Sequence, residues 1–177
     1  VAFRDTIKRY VEKELKPHAN EWDEAGDFPW RIHEEIGALG FFGFGVDEKY
    51  GGLGFDDAFM RAQGAIEFAQ CGANGIFAGV SGRSISIGIL QKLGSDEIKD
   101  KVLADVVAGR KGSSLAITEP SGGSDVANLK TTAVRDGDEY VINGSKTFIT
   151  GAVKGDYFVV GARTGDAGIG GISLFFV

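Results

Sequence analysis

Cysteine, histidine and long apolar runs are scarce in this chain, and each shortage closes a class of function. The single cysteine, Cys71, excludes an internal disulfide and any cysteine cluster for zinc. The only histidines, His18 and His33, supply a metal site poorly, so no metal is expected. Neither falls at a strand end where it could serve as a base, and Gly79-Val80-Ser81-Gly82 falls short of a nucleophile elbow, which sets hydrolase chemistry aside. His18, beside Pro17, reads as a surface or helix-end residue. No apolar run approaches the roughly 20 residues that cross a bilayer, and no signal-peptide or other targeting pattern is visible. Lys and Arg number 19 against 25 Asp and Glu, so the chain lacks the basic footprint of a nucleic-acid binder. No Gly-x-Gly-x-x-Gly opens a helix after a strand and no Walker-type loop is present, which argues against Rossmann dinucleotide binding and P-loop phosphoryl transfer.

What is present divides into two patterns. Residues 1–112 read as helices. Phe3, Ile7, Val11 and Leu15 recur every four residues among charges, which predicts an amphipathic helix ended by Pro17. Pro29 stands at the first turn of the next helix, with Ile32, Ile36 and Leu39 as its buried face. A third helix from about Asp56 is expected to turn Phe59, Ala62, Ile66 and Ala69 inward. Gly72 to Leu93 holds only Arg83 and Lys92 as charges, so it is expected to be a buried central helix or the wall of a ligand cavity. Ser95 suits the N-cap of a last helix that carries Ile98, Val102 and Val106 and ends at Gly109.

After Lys111 the period shortens to two. Ser113–Thr118, Lys130–Arg135, Glu139–Asn143, Lys146–Thr150, Tyr157–Arg163 and Ile172–Val177 read as strands, with tight turns at Asp136-Gly137 and Asn143-Gly144. Asn143-Gly144-Ser145 formally matches a glycosylation acceptor and is read as a turn. The expected class is α+β: an N-terminal all-α helical domain, 1–112, then an incomplete antiparallel β-barrel or sheet domain, 113–177. The last residues form an apolar strand-like run, an unprotected edge, which predicts that the natural chain continues beyond Val177.

The chemistry concentrates in two stretches. In Leu115–Asp125, Leu-Ala-Ile-Thr-Glu-Pro-Ser-Gly-Gly-Ser-Asp, a strand delivers a loop whose glycines let main-chain N–H groups approach an anion while Ser124 adds a hydroxyl. That is either a phosphate nest or an ordinary turn. In Asn143–Thr150 a tight turn leads into an apparent strand that ends in an aromatic residue and a hydroxyl. Ala-Ile-Thr-Glu-Pro-x-x-Gly-Ser-Asp and Asn-Gly-x-Lys-x-Phe-Ile-Thr, with Thr-Thr-Ala-Val-Arg between them, closely resemble the acyl-CoA dehydrogenase family. Pro17-His18, Leu39-Gly40-Phe41-Phe42-Gly43, Lys49-Tyr50-Gly51-Gly52-Leu53-Gly54 and Gly94-Ser95-Asp96-Glu97 extend the resemblance over essentially the whole chain.

The resemblance implies an FAD flavoprotein of fatty acid metabolism that oxidises an acyl-CoA thioester to its trans-2-enoyl form and passes electrons to an electron-transferring flavoprotein. It also implies a homo-oligomer, tetramer or dimer, in a bacterial cytoplasm or a mitochondrial matrix. By that resemblance Leu115, Ala116 and Ile117 lie along the flavin and Thr118 bonds its polar edge. Gly123 and Ser124 meet the pyrophosphate or the neighbouring CoA, Phe148 and Ile149 pack on the isoalloxazine, and Thr150 reaches toward N5. Phe77, Ser81 and Ser84 face the acyl tail or are ordinary bundle core. Arg83 binds a polar or carboxylated acyl group or snorkels to the surface. Asp125, beside a pyrophosphate it would repel, is expected to cap local N–H groups, and Glu119 is not taken as the base. The family's base is a glutamate of a C-terminal helical domain that this segment does not contain, so no catalytic residue is assigned and the segment alone is expected to be inactive. The alternatives are an oxidase or monooxygenase of the same fold, or a non-catalytic flavin- or acyl-CoA-binding homologue.

Overall fold

A computed structural model describes residues 2–177. The chain divides into two compact units, one reaching to Gly112 and the other spanning Ser113–Val177. The α+β class holds, with helices in the first unit and a five-stranded sheet in the second.

The first helix does not stop at Pro17. Helix α1 (Ala2–Tyr10) runs on through a π turn (Val11–Leu15) and a 3₁₀ turn (Lys16–His18) into α2 (Ala19–Ala25). Pro17 occupies the first turn of the 3₁₀ segment, where a missing N–H leaves nothing unpaired, so the chain changes its winding instead of ending. Ile7, Val11 and Leu15 form the buried stripe that their spacing predicts. Helix α3 (Arg31–Ala38) follows Pro29 by one turn, with Ile32 and Ile36 buried. Gly37 and Gly109 let α3 meet the far end of the bundle: a Cβ on Gly37 would stand 2.7 Å from the Ala108 carbonyl, and one on Gly109 would overlap that of His33.

Helix α4 (Ala58–Ala69) starts at Asp57, whose Oδ1 accepts the Met60 N–H at 2.9 Å. It turns the opposite face inward from the one its apolar spacing suggests. Gly64, Glu67 and Phe68 are buried, whereas Ala62 and Ala69 are exposed, as are Phe59 at 74 % and Ile66 at 52 %. The reason is tertiary: a Cβ on Gly64 would meet the Phe3 ring at 2.8 Å, so the small residue admits α1, and Arg4 neutralises Glu67 at 2.6 Å. Helix α5 (Asn74–Leu93) is likewise not buried all round. Ile76, Val80, Ile87 and Leu90 face the core, while Ile85 and Leu93 are exposed, because its low charge comes from serine and glycine as well as from apolar residues. Helix α6 (Asp96–Val107) is capped as expected, Ser95 Oγ accepting the Ile98 N–H at 3.3 Å.

In the second unit β1 (Ser113–Ala116), β2 (Thr132–Asp136), β3 (Glu139–Asn143), β4 (Tyr157–Arg163) and β5 (Ile172–Phe176) form one sheet in the order β1-β4-β2-β3, with β5 also on β4. The sheet is mixed where a wholly antiparallel one was expected. Strand β4 runs parallel to β1 and β2 and antiparallel to β5. The long connection between β1 and β4 allows this, since a parallel return needs a crossover that no tight turn provides. Strands β2 and β3 make the expected hairpin, with Gly137 at φ +62° in its turn. Lys146–Thr150 is not a strand but part of an irregular loop. It departs at Gly144, where a Cβ would overlap Thr131, so no side chain could follow that path.

Candidate functional site

The two motif stretches, far apart in sequence, lie side by side in the β unit. Edge strand β1 carries Leu115 and Ala116 in register with Val159 and Val160 of β4, then opens into the loop from Ile117 to Asp125. Glu119-Pro120-Ser121-Gly122 closes on itself: the Glu119 N–H donates to the Gly122 carbonyl at 3.0 Å, and the Gly122 N–H returns to the Glu119 carbonyl at 3.1 Å. That reverse turn leaves Gly123, Ser124 and Asp125 exposed, with Gly123 close enough to Thr118 that a Cβ would meet its Cγ2 at 3.4 Å. Gly123 and Asp125 border a cleft of about 390 Å³ lined also by Ile117, Asn128 and Lys130. Asp125 was expected to cap backbone N–H groups; its carboxylate instead accepts the Asn128 side-chain amide at 2.5 Å.

The second loop is tied to the first at both ends. The Thr147 N–H donates to the Thr118 carbonyl at 3.0 Å, and Ser114 Oγ donates to the Thr150 carbonyl at 2.8 Å. Between those anchors Phe148 adopts φ +56°, a left-handed conformation that no other non-glycine residue shares among those described. For a bulky side chain that costs about 1–2 kcal/mol, and the ring it holds out is 91 % exposed. An unfavourable backbone that presents an apolar ring to solvent is an arrangement that folding alone does not select.

Glu119 is committed to structure. It is 6 % exposed and accepts hydrogen bonds from Lys130 N–H at 2.7 Å, Thr131 N–H at 2.8 Å, Thr131 Oγ1 at 2.5 Å and Lys146 Nζ at 2.9 Å. Burial by itself would raise its pKa; the hydrogen bonds from Thr131, Lys130 and Lys146 outweigh it and hold the carboxyl down at about 2. An ionised, fully engaged carboxylate has little capacity to abstract a proton, in line with its not being taken as a base.

In the helical unit Phe77, Ser81 and Ser84 line one pocket of about 220 Å³, together with Phe41, Phe42, Phe44 and Gly88. Arg83 neither snorkels nor lines that pocket. It is 6 % exposed, its guanidinium lies 4.2 Å from the centre of the Trp30 ring, and its Nη1 donates to the Lys111 carbonyl at 2.8 Å. Among the described residues no cluster of metal-ligating side chains occurs, and no helix is long and apolar enough to cross a membrane.

Models of the N-terminal and middle domains of acyl-CoA dehydrogenase match residues 1–110 and 114–177. The chain belongs to the acyl-CoA dehydrogenase family. It is 37 % identical over 177 residues to a 3-(aryl)acrylate reductase of Clostridium sporogenes, covering 99 % of this chain and 46 % of that protein. Among solved structures it matches an acyl-CoA dehydrogenase from Geobacillus kaustophilus with a TM-score of 0.86 at 36 % identity, covering 99 % of this chain and 47 % of that one. It also matches a glutaryl-CoA dehydrogenase from Mycobacterium smegmatis in complex with FADH2, with a TM-score of 0.90 at 31 % identity, covering 99 % of this chain and 44 % of that one. The chain thus spans less than half the length of these relatives.

Within this family member, the residues singled out from sequence fall in two places, with Arg83 apart from both. Leu115 to Thr118, Gly123 and Ser124 share a locality with Phe148, Ile149 and Thr150, while Phe77, Ser81 and Ser84 meet in the helical pocket. Sequence reasoning passed over Ser114 and Lys146, whose side chains bind the second loop to β1 and to the first loop, and Thr131, whose hydroxyl holds Glu119. Lys146 was within reach, since it stands inside the Asn-Gly-x-Lys motif. Ser114 and Thr131 look like ordinary strand residues and carry no such mark.

Proposed function

We propose that the protein is an FAD-dependent dehydrogenase that converts an acyl-CoA thioester to its trans-2-enoyl form. The observation that carries this reading is the pair of loops joined at Thr118 and Thr147, with the Phe148 ring held out in a left-handed backbone. These residues suit a flavin: exposed main chain at Gly123 and Ser124 for a pyrophosphate, an aromatic face at Phe148 for a flat ring, and hydroxyls at Thr118 and Thr150 for its polar edge. Bound there, FAD supplies the acceptor for the hydride leaving the substrate β-carbon.

The chain's own residues do the holding. Leu115, Ala116 and Ile117 form the edge beside which the ring lies, and Ile149 supports Phe148. The Thr118 and Thr150 hydroxyls sit where hydrogen bonds to the ring polarise it, an electrostatic aid that is strongest in a site from which water is excluded. Ser124 serves the cofactor's pyrophosphate or the adjoining CoA. Phe77, Ser81 and Ser84 receive the acyl tail. The α-proton goes to a base outside this segment, because Glu119, the buried carboxylate of the first loop, is fully occupied, and Asp125 is engaged by Asn128. The working enzyme is a homo-oligomer of a bacterial cytoplasm or mitochondrial matrix, with an electron-transferring flavoprotein as its oxidant.

Anaerobic addition of acyl-CoA to the FAD-loaded holoenzyme is expected to bleach the flavin absorbance, and reoxidation is expected to depend on electron-transferring flavoprotein and not on oxygen. A flavin that stays yellow with every acyl-CoA overturns the dehydrogenase reading; rapid oxygen consumption replaces it with an oxidase.

A further inference from the structure

Gly88 sits inside α5, where glycine weakens a helix relative to alanine, and packing does not require it there. A Cβ built on Gly88 meets nothing within 4 Å. Gly79 and Gly64 are explained by close approach: on Gly79 the same atom would stand 2.9 Å from the Phe28 ring, and on Gly64 2.8 Å from Phe3. What the missing side chain of Gly88 leaves open is the pocket it shares with Phe77, Ser81 and Ser84.

Four phenylalanines dominate the rest of that pocket, with Ala65 and Ile87 beside them and Asp56, Arg61 and Lys92 as its charged members. Phe41, Phe42 and Phe44 come from the segment after α3 and Phe77 from α5. Their rings are held by one another and by neighbours: Phe41 is edge-on to Phe42 at 5.9 Å, Phe68 stands between Phe41 at 5.7 Å and Phe77 at 5.4 Å, and Phe44 is edge-on to Phe55 at 6.0 Å. Arg61 brings little free charge into the space, since it pairs with Asp56 and its guanidinium lies 6.0 Å from the Phe44 centroid. A cavity of roughly 150 Å³ is enough for benzene; this open pocket measures about 220 Å³.

We infer that this pocket takes an aryl group and that Gly88 is the specificity-determining residue that admits it. The inference rests on the acyl-CoA reading and narrows it: the aryl group is the distal end of the acyl chain, and the substrate class is the aryl-substituted acyl-CoA thioester, of which 3-phenylpropionyl-CoA is the simplest probe. Ring edges and faces already set at T-shaped spacing favour an incoming ring over an alkyl tail of similar size by about 2- to 10-fold.

The test is Gly88→Leu, with Gly88→Ala as a milder variant, in the FAD-loaded holoenzyme. Both strengthen the helix and project into open space, so both are expected to fold. Selectivity for 3-phenylpropionyl-CoA over butyryl-CoA, taken as the ratio of kcat/KM values, is expected to fall at least ten-fold in Gly88→Leu. Calorimetric affinity for cinnamoyl-CoA, which needs no turnover, is expected to fall in parallel while that for crotonyl-CoA falls less. Equal losses for both thioesters, or a native enzyme that prefers hexanoyl-CoA to 3-phenylpropionyl-CoA, overturns the inference and leaves the dehydrogenase reading standing. If no acyl-CoA reduces the flavin, the dehydrogenase reading falls, and the calorimetric comparison still decides the pocket.

Discussion

Lys146 Nζ lies 2.9 Å from Glu119 Oε1 and 3.0 Å from the Ile117 carbonyl oxygen, so one buried ammonium clasps the two loops of the candidate flavin seat. Because both side chains are shielded from water, removing one charge leaves the other uncompensated. Lys146→Met is therefore expected to destabilise the β unit by about 3 kcal/mol, with FAD affinity falling alongside. Lys146→Arg should recover part of both. Denaturant unfolding and FAD titration measure the two effects, and unchanged FAD affinity in Lys146→Met would remove the clasp from any role in holding the cofactor.

Acid should loosen the same clasp. The Glu119 carboxyl is held at about 2, below its ordinary value of 4.5, because hydrogen bonds from Thr131, Lys130 and Lys146 outweigh the burial that works against them. A depressed carboxylate contributes stability that is fully present above the unfolded pKa and is lost as pH falls toward the folded one. The contribution is thus flat above about pH 5 and disappears between about pH 5 and pH 2. Stability curves of wild type and Glu119→Gln should converge on acidification across that window; a constant gap between them would contradict the assignment.

Phe148→Gly separates folding from binding. It relieves a left-handed backbone and gives up a ring that is 91 % exposed, so apo stability is expected to hold or to rise by about 0.5–1 kcal/mol. FAD affinity is expected to drop at least ten-fold if the ring packs on the flavin as proposed. Thermal melts of the apo protein and FAD titration check the pair; wild-type affinity in the variant would show that the ring faces something else.

Thr150→Ala tests the hydroxyl alone. The contact that anchors this residue runs from Ser114 Oγ to the Thr150 carbonyl, which the substitution keeps. Reduction of bound FAD by acyl-CoA, followed by stopped flow, is expected to slow by about ten-fold or more, with FAD affinity little altered. Unchanged reduction kinetics would take Thr150 out of the electrostatic role.

Arg83→Leu is expected to lower stability by about 2–3 kcal/mol through loss of the stacking on Trp30 and the bond to the Lys111 carbonyl. Because the side chain lies outside the helical pocket, the ratio of activities on straight-chain and dicarboxylic acyl-CoAs is expected to stay as in wild type. A selective loss on dicarboxylic substrates would restore a substrate role.

The division of the chain into helices and strands, the cap at Ser95 and the motif residues were legible in the sequence, because periodicity, capping and turn chemistry act over a few residues. Whatever depends on partners distant in sequence was not. The inward face of α4 was misread because Gly64 against Phe3 and Glu67 paired with Arg4 decide it, and neither contact shows in the spacing of Phe59, Ala62, Ile66 and Ala69. Lys146–Thr150 looks like a strand by composition, yet its N–H and carbonyl groups find Thr118 and Ser114 in place of a ladder. The sequence by itself determined the α+β class and the family to which the chain belongs. Only the tertiary structure decided that Glu119 is a buried strut, that Arg83 stacks on Trp30, and that Phe148 is held out to solvent, because burial, pairing and backbone strain are set by what the folded chain brings alongside.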